Sequence, residues 1–392
     1  MNSIILKKHH DKRLKNGHRW VFSNEIYQIN GQPEPGDVIE INDSNGAFLG
    51  IGYYNPHSLI AFRLLSSSRV EINAEFYLKR IEHAINHRKI FCDGIEALRL
   101  VHAESDGLPG VTIDQFGKAV SIQIVCAGAD MHTDFIIDAI KHTVNPDVIV
   151  LKNESALRNF EGLPLFTKVI YGNVVDSVVI FHEHGLDYEA NIIEGQKTGF
   201  YVDQRENRLA FKRCISPGDM VLDAFCNEGG FAMNAVRAGA KYVLAIDNSE
   251  SALDRAKKNA IRNGLEKQIE FQKHDLMQWF PSNTSSIKFD VINLDPPSFA
   301  KNKKSAGSAL RGYYKLHLAA LKMLKPGGYL STATCSHHID TARFMESVSE
   351  AALKLRKEIT LVYKGNQPPD HPVHPFMPET EYLRFFVYRL MS

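Results

Sequence analysis

The pattern of hydrophobic and polar positions changes character twice along the chain. Up to about residue 70, short apolar runs of strand length alternate with clusters of Gly, Pro and Asn, which is typical of a small β-rich unit. From there to about residue 188, strand-like runs are interrupted by two helical patterns, which indicates a small α+β domain. Strands and helices alternate regularly beyond residue 219. The sequence therefore predicts three domains, which cover residues 1–70, 71–188 and 189–392.

The alternation in the third domain predicts an α/β fold with a doubly wound, mostly parallel, Rossmann-like sheet of seven strands. The last two strand-like runs have no helix between them, so we expect the final strand to pair antiparallel. Ligands of such sheets bind beyond the carboxyl ends of the strands, at the point where the strand order switches. The residues that follow the strands should therefore line one cleft.

Acidic residues and glycines follow the first strands of this domain. Gly229 and Gly230 precede a helix, whose N-terminal N–H groups favour an anionic ligand group. Asn227 replaces the first glycine of the dinucleotide fingerprint, which argues against a pyrophosphate. Asp247 suits two ribose hydroxyls and Asp275 suits an adenine amino group, so we predict S-adenosylmethionine as the cofactor. The predicted cofactor residues here are Asp223, Phe225, Asn227, Gly229, Gly230, Asp247, Asn248, Asp275, Leu276 and Asp295.

A segment rich in polar residues precedes the first strand of the third domain. Two glycines in residues 194–208 allow close approach of the backbone to a ligand, and Asp203 is placed to cap the following helix. We interpret the segment as a lid over the cofactor, although a purely structural lead-in is an open alternative. The residues expected to contact the cofactor are Lys197, Thr198, Gly199, Asp203, Gln204 and Arg205.

Two further motifs predict the chemistry. Asp295-Pro-Pro-Ser-Phe299 follows a strand, and its prolines stiffen a loop that directs a carboxylate at a planar base. Enzymes that methylate an exocyclic base nitrogen share this motif, so it leaves the target atom open. Cys335 ends a later strand and favours carbon 5 of a pyrimidine, because a thiolate bonded to carbon 6 makes carbon 5 nucleophilic. We predict Cys335 and Asp295 as catalytic residues; a buried, inert cysteine is the alternative.

Composition and charge indicate the cellular environment of the protein and the kinds of partner it could bind. No apolar run reaches the roughly 18–20 residues of a membrane span. The five cysteines lack a C-x-x-C pair, which argues against disulfides and a zinc site and favours the reducing cytoplasm. Net charge is only +1, yet basic residues cluster within 1–20 and 301–315, where a nucleic acid is one interpretation and a solvated surface the other. The predicted RNA contacts are Arg19, Trp20, Lys301, Lys303, Lys304 and Arg311, with Trp20 as a core residue of the first domain as the alternative.

The chain resembles the bacterial 23S ribosomal RNA (cytosine-5)-methyltransferases. The motifs that carry the resemblance span the chain and include residues 19–23, 104–110, 195–205, 229–231, 295–299, 334–336 and 370–373. The resemblance implies an N-terminal PUA domain, a central α+β domain and a class I methyltransferase domain. It also implies that Cys335 is the nucleophile, that Asp295 holds the pyrimidine edge, and that residues 195–205 close over the cofactor.

The implied partner is ribosomal RNA whose target base is single-stranded or flipped out of its stack. The sequence leaves a homodimer open. It also leaves two other functions open, namely methylation of a base nitrogen and a non-catalytic role in RNA binding during ribosome assembly.

Overall fold

The computed structural model describes residues 2–173, 177–195, 197–282, 287–300 and 302–391. The chain forms two compact units. The first comprises Met1–Glu183, Glu189–Val202 and Pro369–Thr380, and the second comprises His184–Tyr188, Asp203–Pro368 and Glu381–Ser392. Residues 189–202 thus belong to the first unit, whereas the sequence assigned them to the methyltransferase domain. The division into three domains stays a prediction.

The first unit contains two sheets. Its elements are β1 (Ser3–Leu6), α1 (Lys12–Lys15), β2 (Trp20–Val21), β3 (Ile26–Asn30), β4 (Val38–Asn42), β5 (Phe48–Tyr54), β6 (Phe62–Ser66), α2 (Ala74–Phe91), β7 (Ala97–His102), β8 (Val111–Phe116), β9 (Ala119–Ile124), α3 (Ala127–Met131), α4 (Thr133–Val144), β10 (Val148–Asn153), α5 (Leu157–Phe160), β11 (Phe166–Tyr171) and β12 (Val178–Glu183). The strand orders are β2-β6-β5-β4-β1-β3 and β11-β10-β9-β8-β7. In the first sheet β1 pairs parallel with β4, and in the second β9 pairs parallel with β10.

The second unit is built on one sheet of seven strands. The strand β13 (Leu186–Asn191) is divided between the two units at residue 189. The elements that follow it in the second unit are α6 (Arg205–Lys212), β14 (Met220–Ala224), α7 (Gly230–Arg237), β15 (Tyr242–Asp247), α8 (Glu250–Arg262), β16 (Ile269–Lys273), α9 (Leu276–Ser282), β17 (Phe289–Leu294), α10 (Ala306–Met323), β18 (Leu324–Thr334), α11 (Thr341–Lys354), β19 (Ile359–Asn366) and β20 (Arg384–Leu390). The strand order is β16-β15-β14-β17-β18-β20-β19. β20 pairs antiparallel with both β18 and β19, as the sequence predicts.

Local sequence signals explain where several helices begin. Asn73 caps α2 by accepting a hydrogen bond from the backbone N–H of Phe76, and Ser249 caps α8 by accepting one from Ala252. Such caps satisfy N–H groups that have no partner within the first turn. The parallel strands of the second unit are apolar on both faces because helices cover both, and Ile246 and Ile292 are fully buried.

One predicted turn is part of a strand. Pro326-Gly327-Gly328 has a sequence typical of a turn after a helix, but it lies inside β18. The pairing with β17 jumps from Phe289–Leu324 to Val291–Tyr329 across this stretch. The extra residues form a bulge that the positive φ of Gly327 (79°) accommodates. The strand therefore begins at Leu324, before this stretch.

A short segment late in the chain returns to the first unit. Within Pro369–Thr380, the backbone carbonyl of Asp370 accepts a hydrogen bond from Arg88 Nη2 at 2.7 Å. The Asp370 carboxylate accepts one from the backbone N–H of Arg99 at 2.8 Å. Asp370 is fully buried, so these bonds hold the segment inside the first unit. Among the helices described, none is both long and apolar enough to cross a membrane.

Candidate active site

The carboxyl end of β14 is organised by a buried acid. Asp223 is fully buried, and its Oδ2 accepts a hydrogen bond from the backbone N–H of Ala232 at 2.9 Å. Its Oδ1 accepts one from Asn293 Nδ2 at 2.9 Å, which joins β14 to β17. Burial raises the pKa of Asp223 to about 7 in spite of these bonds. One carboxylate oxygen therefore ties the end of β14 to the first turn of α7, across the loop between them, and the other ties it to β17.

That loop has an unusual backbone. Phe225, Asn227 and Gly229 all have positive φ, at 66°, 45° and 81°. Two non-glycine residues in this region are held in a sparsely populated conformation, which persists only where the surroundings enforce it. The N–H groups of Phe225 and Cys226 both donate to the carbonyl of Ile246, at 2.9 and 3.0 Å, and so enforce it here. The result is a curled loop that leads into the N-terminus of α7.

Two further acids follow the neighbouring strands. Asp247, at the end of β15, accepts hydrogen bonds from the N–H groups of Asn227 and Ser249, at 3.0 and 2.9 Å. Asp275, just after β16, accepts one from the N–H of Met277 at 2.9 Å and lies at the start of α9. The Asn227–Asp247 bond joins the ends of β14 and β15. β15 and β16 are parallel neighbours, so Asp247 and Asp275 follow strand ends at the same edge of the sheet.

This edge fits S-adenosylmethionine by the chemistry of its groups. An ionised carboxylate offers about four acceptor positions, so Asp247 retains capacity for ribose hydroxyls beyond its two backbone donors. The N-terminus of α7 begins at Gly230 and favours the carboxylate of the methionine tail. A Cβ on Gly229 would lie 3.3 Å from Ala256 Cβ, so the loop lies close against α8. Asp247 would hold the ribose, and the loop with α7 would hold the amino-acid tail.

The predicted lid is divided between the two units. Lys197, Thr198 and Gly199 belong to the first unit. There the Thr198 hydroxyl donates to the buried carboxylate of Asp114, and the Lys197 ammonium lies 4.1 Å from the centre of the Tyr201 ring. Their role as cofactor contacts stays a prediction. The structure shows instead how this segment is anchored within its own unit.

The remaining lid residues belong to the second unit. Asp203 accepts a hydrogen bond from the Tyr382 hydroxyl at 2.8 Å. Gln204 donates from Nε2 to Oδ2 of Asp295 at 3.0 Å. Arg205 is fully buried at the start of α6. Gln204 thus contacts the acid predicted to hold the substrate base, a link that its sequence position did not suggest.

Asp295 and Cys335 follow two neighbouring parallel strands. Leu294, the last residue of β17, lies opposite Thr332 in β18, so both residues come just after the same edge of the sheet. A hydrogen bond joins the two motifs directly, because the hydroxyls of Ser298 and Ser336 are 3.0 Å apart. Cys335 is partly exposed. The sequence predicted that the two motifs meet, and the second unit brings them together.

Hydroxyl groups beside Cys335 form a chain that the sequence analysis missed. The Tyr313 hydroxyl, from α10, lies 2.9 Å from Thr334 Oγ1 and 3.3 Å from Ser336 Oγ. Burial raises the pKa of Tyr313, so this hydroxyl stays protonated near neutral pH. Thr334 and Ser336 flank Cys335 in sequence and are fully buried, and they could have been suspected for that reason. Nothing in the sequence around Tyr313 indicated a role.

The other cysteines are poorly suited to nucleophilic chemistry. Burial raises the pKa of Cys126 to about 12, that of Cys214 to about 11, and that of Cys226 well above its usual value. Cys92 is buried at the end of α2. A thiol must ionise to act as a nucleophile, so these environments favour inert thiols.

The residues of the first unit that were predicted to contact RNA, Arg19 and Trp20, also contact other residues of the protein. The indole N–H of Trp20 donates to Oε1 of Glu104 at 2.8 Å, and Arg63 lies over the same ring. Arg19 donates to His374 Nε2 at 3.4 Å, and burial lowers its pKa. Trp20 is held within the fold by these contacts but is only partly buried, so it is not one of the fully buried core residues. Contact of either residue with RNA stays a prediction.

The second predicted basic cluster lies near the start of α10. Lys304 and Arg311 are exposed. Lys301 lies outside the described residues, as does the side chain of Lys303. The two described cations are accessible to a polyanion.

Comparison with known protein families finds one match in the N-terminal part of the chain and one in the C-terminal part. A PUA-like domain family matches residues 4–67, and a methyltransferase domain family matches residues 215–368. A solved structure from Streptococcus mutans, assigned as a SAM-dependent methyltransferase, has a TM-score of 0.84 at 21% identity and covers 99% of this chain and 100% of its own. The fold is therefore that of the class I methyltransferases that use S-adenosylmethionine, preceded by a PUA-like domain.

Full-length relatives narrow the assignment. "Ribosomal RNA large subunit methyltransferase I" of Serratia proteamaculans is 36% identical over 99% of both chains. The protein of the same name from Pseudoalteromonas translucida is 37% identical over 98% of both chains. The chain belongs to this ribosomal RNA large subunit methyltransferase I family.

Proposed function

We propose that this protein methylates carbon 5 of a cytosine in large-subunit (23S) ribosomal RNA, through a covalent bond between Cys335 and the base. The names of its full-length relatives support ribosomal RNA as the substrate. One observation carries the choice of carbon 5. A partly exposed thiol follows the strand next to that of Asp295, and the Ser298–Ser336 hydrogen bond ties the two motifs together. Methylation of a base nitrogen would need no thiol at this place.

Cys335 begins the reaction. Its thiolate sulfur bonds to carbon 6 of the cytosine, and the electrons of the 5,6 double bond move toward carbon 5 and N3. Asp295 provides a proton to N3, or a hydrogen bond from its protonated form, and so stabilises the charge that develops on the ring. Carbon 5 is then the nucleophile. After carbon 5 has gained the methyl group, a base removes its proton, the 5,6 double bond re-forms and the sulfur leaves as a thiolate. N3 gives its proton back to the Asp295 carboxylate, which restores the neutral cytosine ring.

When bound, S-adenosylmethionine supplies an electrophilic methyl group to carbon 5. Asp247 would orient its ribose, and the loop after β14 with the N-terminus of α7 would hold its amino-acid tail. Asp223 contributes indirectly, since its Oδ2 holds the first turn of α7 against the end of β14.

The sulfur and the methyl group must both approach the base from above or below the plane of its ring, so the faces of the ring must be accessible. A stacked base cannot reach a thiol at a sheet edge, so we propose that the target is single-stranded or flipped out. Lys304 and Arg311 are exposed and would neutralise phosphates near the target base.

Incubation of the protein with ribosomal RNA and methyl-labelled cofactor tests the proposal. The RNA is digested to nucleosides and the methylated product is identified by mass spectrometry. We expect 5-methylcytidine. A product methylated on nitrogen would overturn the proposed chemistry, and absence of transfer to both naked RNA and subunit particles would favour a non-catalytic role in ribosome assembly.

A further inference from the structure

Gln204 is buried, with 4% of its surface exposed, and lies just before α6. Its amide nitrogen donates to Asp295 Oδ2 at 3.0 Å. Its amide oxygen accepts a hydrogen bond from Asn207 Nδ2 at 2.7 Å. The side chain therefore stands between the predicted base-binding acid and a second buried amide.

The direction of these hydrogen bonds is set by a backbone group. Asn207 Nδ2 also donates to the carbonyl of Asn366 at 3.3 Å, and a carbonyl can only accept. Asn207 must therefore turn its nitrogen toward this point, and Gln204 must turn its oxygen toward Asn207. The amide nitrogen of Gln204 then faces Asp295. A Cβ on Gly365 would lie 2.3 Å from Asn207 Oδ1, so the absence of a side chain there makes room for Asn207 in this orientation.

This polarity restricts how Asp295 can present its carboxyl group. Because Oδ2 accepts a hydrogen bond from Gln204, Oδ2 is disfavoured as the oxygen that carries a proton. A proton on Asp295 is then favoured on Oδ1. In a carboxylic acid that rotates freely, either oxygen can be the donor and the other the acceptor. In Asp295 the donor is favoured at Oδ1 and the acceptor at Oδ2.

The order matters because pyrimidines differ along this edge. Cytosine presents an acceptor at N3 and a donor at its exocyclic amino group, whereas uracil presents a donor at N3 and an acceptor at O4. A carboxyl group with a fixed donor and a fixed acceptor matches only one of the two. Leaving a buried polar group mismatched costs roughly 1–3 kcal/mol, which corresponds to about tenfold to a hundredfold in rate.

We propose that Gln204, oriented by Asn207, is a positioning residue that makes the enzyme select cytosine over uracil, by holding Asp295 Oδ2 as an acceptor. The inference rests on the proposed function, since it assumes that Asp295 contacts the base. It assigns Gln204 to the substrate side of the site, whereas the sequence predicts it as a cofactor contact.

Two variants separate the hydrogen bond from the shape of the side chain. Gln204→Glu keeps the size and the acceptor for Asn207 but loses the donor for Asp295. Gln204→Met keeps the approximate size and loses both. Each is assayed with RNA that carries cytidine at the mapped target position and with RNA that carries uridine there, and kcat and KM are measured separately. Gln115→Met is the matched control. It removes one partly buried amide hydrogen bond, from Gln115 Nε2 to the Gly117 carbonyl at 2.7 Å, in the first unit.

We expect both Gln204 variants to lose about tenfold to a hundredfold in kcat for cytidine RNA, with the KM for RNA within about threefold, since phosphate contacts supply most of the affinity. The preference for cytidine over uridine should fall at least tenfold in Gln204→Met. Cofactor affinity, measured by calorimetry, should stay within about threefold, and the control should match the wild type in every measurement.

The proposal is overturned if Gln204→Glu retains the wild-type kcat and base preference, because size alone would then suffice. It is also overturned if the cofactor affinity of both variants falls while base preference is unchanged, because Gln204 would then act on the cofactor. If wild-type protein makes no 5-methylcytidine at all, the proposed function fails first, and this outcome is visible before any variant is compared.

Discussion

Ion pairs of the first unit and the acid of the site in the second unit involve different kinds of partner. In the first unit, buried charges are matched by opposite charges, as where Arg88 contacts Asp106 and Arg99 contacts Asp114, each through two hydrogen bonds of 2.7–2.9 Å. At the site in the second unit, the described bond to Asp295 comes from a neutral amide of Gln204. Opposite charges neutralise one another and stabilise a fold. A neutral amide donor orients an acid without adding a charge of its own.

We expect the largest effect from a substitution in the candidate active site, on the rate of methyl transfer. Cys335→Ala removes the proposed nucleophile, and we expect methyl transfer to fall at least about a thousandfold, because the proposed reaction begins with the bond from this sulfur to carbon 6. Cofactor affinity should stay within a few-fold. Methyl incorporation into ribosomal RNA measures the first quantity and calorimetry the second. Cys214→Ala is the matched control and should keep full activity; a Cys335→Ala protein of near-normal activity would exclude the covalent mechanism.

The ion pairs of the first unit should affect stability instead. Arg99→Met leaves the fully buried carboxylate of Asp114 without its main partner. Breaking a buried pair from one side costs about 3–5 kcal/mol in the free energy of unfolding. Urea denaturation measures this change. Lys257→Met breaks an exposed pair with Asp254 and should change stability by less than about 0.5 kcal/mol; equal effects in the two variants would remove the contrast between buried and exposed pairs.

The raised pKa of Asp223 predicts how the stability of the protein depends on pH. The pKa of this acid is raised from 3.8 to about 7, so the folded state holds the proton more tightly than the unfolded chain. Its contribution to stability is therefore present below the unfolded pKa and is lost as pH rises through the folded pKa. Asp223→Asn cannot ionise. The stability of the variant relative to the wild type should rise between about pH 4 and pH 7, by up to about 4 kcal/mol, and then level off. Denaturation at several pH values measures this difference, and a constant difference would show that Asp223 has an ordinary pKa.

The smallest effect should come from the hydroxyl chain. Tyr313→Phe removes one hydroxyl that contacts Thr334 and Ser336, and each lost hydrogen bond is worth about 1 kcal/mol. We expect a loss of about 1–2 kcal/mol in stability and of up to about tenfold in methyl transfer, because the loop that carries Cys335 becomes less fixed. A loss of activity as large as that of Cys335→Ala would mean that Tyr313 takes part in the chemistry itself.

Sequence reasoning succeeded where a signal is local. Asp247 and Cys335 each end an apolar run, and parallel strands bring such ends to one edge, so their approach could be predicted. The contact of Gln204 with Asp295 could not, because it joins residues 91 positions apart and depends on the orientation of an amide. The role of Tyr313 was hidden for a similar reason, since a tyrosine at helical spacing looks like any core residue.

The late return of residues 369–380 to the first unit bears on how the protein is made. The carbonyl and carboxylate of Asp370 satisfy Arg88 and the backbone of Arg99, yet Asp370 is translated long after both. The first unit cannot be finished as it leaves the ribosome, and must wait for nearly the whole polypeptide. A gene fragment that stops at residue 202 would lack Asp370 and so would encode an unfinished first unit.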